Sequence, residues 1–347
     1  MHPEPETTAA PLGAALDGLA VRLGAPLSTG SSGGRESRMT QAAGDHRKWT
    51  ASCRGGFLFL IGNLLLLGWF NATLYGQSSP APLILTLPIS VRSAGLGGAG
   101  AALSGDASAT FLNPAGLATI RNIAIEGAAQ RYPDGSLEGF AAGGFRLFQF
   151  NLGGGIHYLR FSDTSSVRDN LEWTASAVYR FGLIALGGTL KYVSLEDSAR
   201  QTRRSATTDL GLGIHVFDIM TLGFTVQNIG SWRVTGGPLQ LPVSKHAAFA
   251  FNLVDPQETA RLLATAEVVW TDRADRRTVI GMEAGAVLGK VGVVGRIGYG
   301  AAPQGAGQKE ASFGGGLVLS RFDIDYAWQR RTKLGRDVHR LGLRFTL

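Results

Sequence analysis

The chain has 347 residues, a formal net charge of +7, a mean hydropathy of +0.09 and 49 glycines. This hydropathy is too low for a bundle of transmembrane helices, and the basic residues are scattered without a recognition-helix or RNA-binding motif, which argues against a nucleic-acid partner. The glycine content far exceeds the usual share of about 7% without a collagen period, as expected in a β-barrel wall where strands bend strongly.

The first part of the chain has the composition of an export leader. Residues 1–38 are polar and of low complexity, and we expect a disordered extension or, because Met39 would begin a signal peptide of normal proportions, a mis-assigned start. Residues 39–77 place a basic patch before the apolar run Phe57 to Phe70 and a polar segment after it, which predicts a signal peptide cleaved near Gln77.

A stretch rich in glycine and alanine, Arg92 to Ala118, lies within residues 78–119. Its Gly95 to Gly100 segment matches the pattern G-x-G-x-x-G, but a dinucleotide site needs a preceding strand, a following helix and an acidic residue about 20 positions later. The apolar run before the stretch is interrupted by proline, and no alternation of strands and helices follows. We therefore interpret the match as coincidental.

The same small residues predict a compact plug, because glycine and alanine let backbone approach backbone closely. We expect a short helix that is capped by the side chain of Asp106 or Ser108 and that ends before Pro114. Residues 78–119 are thus predicted to be a periplasmic leader and hatch. The residues assigned to the hatch are Gly95, Gly97, Gly98, Gly100, Asp106, Asn113, Pro114, Ala115 and Gly116.

Alternation of apolar and polar residues dominates residues 120–347. Between Phe322 and Trp328, for example, every second residue is apolar, and the intervening positions include Asp323 and Asp325. About fourteen such segments of roughly ten residues occur, separated in turn by very short turns and by longer polar loops, as in outer-membrane barrels. The fold class predicted is all-β: a transmembrane antiparallel β-barrel of about 14 strands with the N-terminal hatch in its lumen. A soluble β-sandwich accounts for the alternation but not for the leader or the plug.

Charged residues of both signs occupy positions predicted to face the lumen. They are Glu172, Arg180, Lys191, Asp209, Glu267, Glu283, Arg296, Asp323 and Asp325. Because charge in a confined lumen is costly unless paired, one interpretation is a salt-bridge network that holds the hatch, and the other is a polar ring along a permeation route. No catalytic motif occurs, the only cysteine, Cys53, lies in the predicted signal peptide, and we expect neither enzymatic activity nor a metal or cofactor.

A second basic group lies on two of the long loops, near residues 200 and 333. Arginine suits bidentate phosphate contacts, so lipid A phosphates of lipopolysaccharide are one candidate partner, and simple solvated charge is the other interpretation. The residues concerned are Arg200, Arg203, Arg204, Arg331 and Lys333.

The segment GLGGAGAALSGDASATFLNPAGLA, beginning at Gly95, resembles the opening signature of PorV/PorQ proteins, relatives of FadL-type outer-membrane barrels. The resemblance extends to the C-terminus and includes GFTVQNIG at 223–230. It implies export to the outer membrane of a diderm bacterium, insertion by the barrel assembly machinery, and contact with outer-membrane lipid. It also implies either passive uptake of hydrophobic small molecules or a barrel linked to type IX secretion, the alternative being a secretion attachment component that transports no solute. An apolar pocket against the hatch would favour transport, and a lumen of paired charges would favour secretion.

Overall fold

The protein forms a closed antiparallel barrel of fourteen strands, as predicted. The computed structural model describes residues 82–162, 165, 167, 169–196, 200–216, 219–235, 241–254, 259–272, 274–301, 309–330 and 337–347, so the predicted extension and signal peptide lie outside it. The strands are β1 (Ile123–Arg131), β2 (Leu137–Leu147), β3 (Phe150–Arg160), β4 (Asp169–Phe181), β5 (Ile184–Glu196), β6 (Thr202–Val216), β7 (Met220–Thr235), β8 (Ser244–Val254), β9 (Ala260–Thr271), β10 (Ala274–Leu288), β11 (Val291–Ala301), β12 (Lys309–Leu319), β13 (Phe322–Gln329) and β14 (Val338–Thr346).

Each strand pairs with its sequence neighbours, and β1 pairs with β14 to close the cylinder. Closure leaves no open sheet edge along that seam, which satisfies the requirement that backbone polar groups be paired in the hydrocarbon region. Outward positions carry large apolar side chains such as Leu190, which is 65% exposed, whereas the inward neighbour Lys191 is 3% exposed. The period-2 pattern therefore separates a lipid-facing surface from a polar lumen. Among the described residues, no helix is long and apolar enough to cross a membrane.

The two ends of the barrel differ in their connections. At one end, here called the short-turn end, β2–β3, β4–β5, β10–β11 and β12–β13 are joined by two residues each, with positive φ angles at Phe148, Gly182, Gly289 and Ser320. At the other, the long-loop end, connections reach eight residues. In outer-membrane barrels of known orientation the short turns face the periplasm and the long loops face the outside.

The hatch comprises four short helical pieces in the lumen. They are a 3-10 turn at Leu83–Leu85, helix α1 at Val91–Gly95, helix α2 at Ala109–Leu112 and a 3-10 turn at Pro114–Thr119. Helix α2 ends before Pro114 as expected, but the predicted side-chain cap is wrong, because neither Asp106 nor Ser108 caps its N-terminus. The Asp106 carboxylate is instead engaged by two arginines.

The hatch passes through the lumen from the long-loop end to the short-turn end. Leu87 belongs to an apolar cluster with Tyr132, the first residue beyond β1, and with Val338, the first residue of β14. At the opposite end Leu117 and Ile120 pack among buried residues of β1 and β2, just before the chain enters β1. The hatch is therefore a through-plug that is covalently continuous with the first strand.

Candidate functional site

Contact between hatch and wall is close enough to exclude side chains. A Cβ added to Gly223 on β7 would lie 2.0 Å from the carbonyl oxygen of Ala101, and one added to Gly298 on β11 would lie 2.1 Å from the amide nitrogen of Gly97. Distances below 3 Å to backbone cannot be relieved by moving a flexible side chain. Wall glycines thus determine where the hatch can sit.

The predicted hatch glycines contribute to the same interface. Gly97 has a φ of +77°, and its missing Cβ would lie 2.9 Å from the backbone nitrogen of Tyr299. A Cβ on Gly95 would meet Arg296 of the wall at 3.3 Å, whereas one on Gly116 would meet the carbonyl oxygen of Leu103 within the hatch itself at 2.7 Å. Gly95 to Gly100 therefore packs against the barrel wall, and helix α1 leads directly into it in place of the strand that a nucleotide site would require.

Buried charges fasten the first half of the hatch to β10, β11, β13 and β14. Arg92 of α1 donates to both oxygens of Glu283 at 2.9 Å each and to Asp106 at 2.8 Å. This hatch ion cluster consists of Arg92, Asp106, Glu283, Arg296, Asp323, Asp325 and Arg344. It contains both of the hatch charges that meet the wall here, Arg92 and Asp106.

Asp106 is the hatch carboxylate of this cluster and lies between two of its arginines. Its carboxylate accepts hydrogen bonds from Arg92 and from Arg344 of β14. Burial alone would raise the pKa of the Asp106 carboxyl, but the attraction of Arg344 and Arg92 outweighs burial and holds that pKa well below its usual range. Asp106 is therefore an anion within the lumen at neutral pH.

A second group of charges, the wall ion cluster, lies within β2 to β6 and β14. It comprises Glu138, His157, Glu172, Lys191, Asp209 and Arg340. Lys191 bridges Asp209 at 2.9 Å and Glu172 at 3.3 Å. Arg340 reaches the hatch, donating to the carbonyl oxygens of Pro88 and Ile89. This cluster mainly crosslinks neighbouring strands.

Two side chains, Glu267 and Asn113, complete the seating of the hatch through hydrogen bonds to backbone groups. Glu267 of β9 accepts hydrogen bonds from the amides of Gly100 at 2.7 Å and Ala101 at 2.9 Å, and His246 faces its other oxygen at 2.7 Å. Asn113 donates to the carbonyl oxygens of Ala101 at 2.7 Å and Leu212 at 3.3 Å. Asn113 thereby ties both the hatch and β6 to the Asn-Pro-Ala-Gly turn.

All nine charges expected in the lumen lie on its inward face, and eight of them are buried. Arg180 is the exception, since it is exposed at the short-turn end and donates to the carbonyl oxygen of Gly182 at 3.1 Å. Of the rest, seven join the two ion clusters, and Glu267 binds the hatch backbone. Sequence reasoning missed Arg92, Glu138 and Arg340. Arg92 is the first residue of the glycine-rich stretch, and its positive charge among small residues is the sequence feature that could have identified it as a contact of the hatch.

The arginines proposed to meet lipopolysaccharide do not share one face. Arg200 and Arg204 are exposed at the long-loop end, whereas Arg203 is half-buried and occupies the inward-facing position next to Arg204. Arg331 and Lys333 lie outside the described residues.

No protein-family model matches the sequence, and no curated protein matches it. Solved structures do match. The CymD monoaromatic hydrocarbon channel has a TM-score of 0.55 at 14% identity, and the comparison covers 75% of this chain and 97% of that one. The Ralstonia pickettii toluene transporter TbuX has a TM-score of 0.54 at 13% identity, covering 75% and 98%. A TodX monoaromatic hydrocarbon channel mutant has a TM-score of 0.52 at 11% identity, covering 74% and 97%. The chain therefore shares its barrel fold with these channel and transporter structures.

Proposed function

We propose that this protein is an outer-membrane barrel that lets hydrophobic small molecules pass when its hatch shifts. The observation that carries the proposal is how the lumen is closed. Barrels of about eight strands fill their interior with wall side chains, and barrels of 16–18 strands enclose an aqueous channel. A fourteen-strand barrel lies between these sizes, and here a separate segment, residues 82–120, fills it.

The hatch has the construction of a movable part. Its two α-helices have five and four residues, too short to be stable alone. Its first half is held by ion pairs and hydrogen bonds, and these can exchange for water when the segment shifts. Close backbone contact at Gly223 and Gly298 excludes water in the closed state without interlocking side chains. Because the hatch continues into β1, it would move aside rather than leave.

The fold likeness supports a hydrophobic solute. CymD is named as a monoaromatic hydrocarbon channel and TbuX as a toluene transporter, and a comparable barrel in this chain would serve a comparable class of molecule. The outer membrane of a diderm bacterium is the matching location, with export by the predicted signal peptide and insertion by the barrel assembly machinery.

A second candidate function is a barrel of PorV/PorQ type that attaches components of type IX secretion and transports no solute. The hatch ion cluster favours it, because an apolar molecule that passed α1 would have to cross buried paired charges. The exposed arginines Arg200 and Arg204 would in either case lie at the outer leaflet, where lipopolysaccharide phosphates are available partners.

Purified protein in asymmetric liposomes with lipopolysaccharide in the outer leaflet separates the two. We expect protein-dependent entry of toluene and no entry of a charged analogue such as benzoate. Absence of protein-dependent toluene entry, together with specific capture of secretion components by the solubilised barrel, would replace the first function with the second. A barrel whose hatch is chemically crosslinked to the wall provides the control, since it keeps the same lipid-facing surface.

A further inference from the structure

The inference concerns a small cavity at the short-turn end, here called the mouth cavity, which lies between the hatch and strands β7 to β9. Its lining includes Ser104, Ile219, Thr221, Asn252, Arg261 and Leu263, and its volume is about 70 Å³. Ile219 lies in the β6–β7 turn and Arg261 is the second residue of β9, so the cavity adjoins the hatch at the short-turn end. The volume is that of about two waters.

Arg261 presents unused donors to this cavity. Its Nε donates to Oδ1 of Asn252 at 2.7 Å, which fixes the plane of the guanidinium. Its nearest carboxylate oxygen, on Glu283, is 3.6 Å from Nη2, beyond hydrogen-bonding distance. The Arg261 side chain is 23% exposed, which leaves the Nη1 and Nη2 edge of the fork open to an incoming group.

Glu283 engages Arg261 only weakly, because its carboxylate already accepts three shorter hydrogen bonds from two other arginines. Its two oxygens accept from Arg92 at 2.9 Å each, and one of them also accepts from Arg296 at 2.7 Å. The carboxylates of β13, Asp323 and Asp325, lie four strands from β9 and are paired with Arg344 and Arg296. Arg261 therefore shares Glu283 with Arg92 and Arg296, and no carboxylate among the described residues lies within hydrogen-bonding distance of its guanidinium, so its Nη donors need an incoming group or water to be satisfied.

We propose that the mouth cavity is a binding site for a carboxylate group, held by the Arg261 fork. A planar guanidinium matches a carboxylate through two parallel hydrogen bonds. Arg92 also lines the cavity, but Glu283 and Asp106 already engage it, so Arg261 supplies the open hydrogen-bonding edge. With those two carboxylates nearby, a monoanion is favoured over a doubly charged phosphate. Thr221 and Ser104 provide hydroxyl groups on one side, and Ile219 and Leu263 provide an apolar wall for a short hydrocarbon group.

Saturation-transfer NMR with acetate and the full barrel in lipid nanodiscs tests the site, and it requires no flux, so it is independent of the transport proposal. We expect saturable acetate binding, weakened at least about tenfold in Arg261→Gln, since charge-assisted pairs are the strong hydrogen bonds. Arg261→Lys keeps the charge but loses the fork and should bind with intermediate affinity. Arg146→Gln is the matched control, because Arg146 is an exposed arginine at the same end, distant in sequence from the cavity lining.

Thermal unfolding of each variant establishes that the barrel is intact. If Arg261→Gln fails to fold, the comparison of wild type with Arg261→Lys and Arg146→Gln still decides. No saturable acetate binding to the wild type, undiminished binding in a folded Arg261→Gln barrel, or a loss in Arg146→Gln as large as that in Arg261→Gln would overturn the proposal.

Discussion

Asp106→Asn should release the first half of the hatch. The substitution keeps the shape of the side chain but removes the charge that Arg92 and Arg344 share. Breaking a buried ion pair costs about 3–5 kcal/mol. Both arginines keep other carboxylates, Arg92 on Glu283 and Arg344 on β13, so we expect a smaller loss of about 2 kcal/mol in hatch seating, roughly a 30-fold increase in the population of the shifted hatch.

Thiol labelling measures that population. Ala94 of α1 is fully buried, and the mature chain is predicted to lack cysteine, so Ala94→Cys supplies a single reporter that a water-soluble maleimide reaches only when the hatch shifts. We expect the labelling rate to rise about 30-fold when Asp106→Asn is added. Asp272→Asn, at an exposed aspartate between β9 and β10, should leave the rate unchanged. Equal rates in all three proteins would refute the assignment of Asp106 as the fastening residue.

Two further predictions concern seating and lipid contact. Gly223→Ala should destabilise the closed hatch by about 1–3 kcal/mol through backbone overlap and raise single-channel conductance, whereas Gly295→Ala, where a Cβ meets nothing within 4 Å, should change neither. Replacing Arg200 and Arg204 by glutamate should weaken binding of lipopolysaccharide in a pull-down, and undiminished binding would leave them as solvated charge.

The wall of the barrel was predictable because it depends on local pattern. A lipid-facing surface and a wet lumen require alternating residues along every strand, so Leu190 and Lys191 show their opposite orientations in the sequence itself. The position of the hatch was also accessible, since few folds other than a confined plug use so many small residues before an Asn-Pro-Ala turn.

The fastening of the hatch was not predictable from local pattern. Arg92 meets Glu283 across 191 positions of the chain, and the choice of that partner depends on barrel register, which alternation alone does not define. Asp106 illustrates the same limit. Its place before a short helix favours a cap in sequence terms, but a buried carboxylate between two guanidinium groups is more strongly stabilised as their ion-pair partner. The role of the wall glycine Gly223 could not be predicted from the sequence either, because that role is defined by the hatch residue that it contacts.

Reversible locking of the hatch tests most directly whether the hatch is the gate. A Cβ on Gly342 of β14 would lie 2.6 Å from Cγ2 of Val91 in α1, so cysteines at Val91 and Gly342 would point at the same space. Protein-dependent toluene entry into asymmetric, lipopolysaccharide-bearing liposomes that contain this double variant should stop under oxidising conditions and return on reduction. Entry at the same rate in both conditions would contradict a hatch that must move for a molecule to pass.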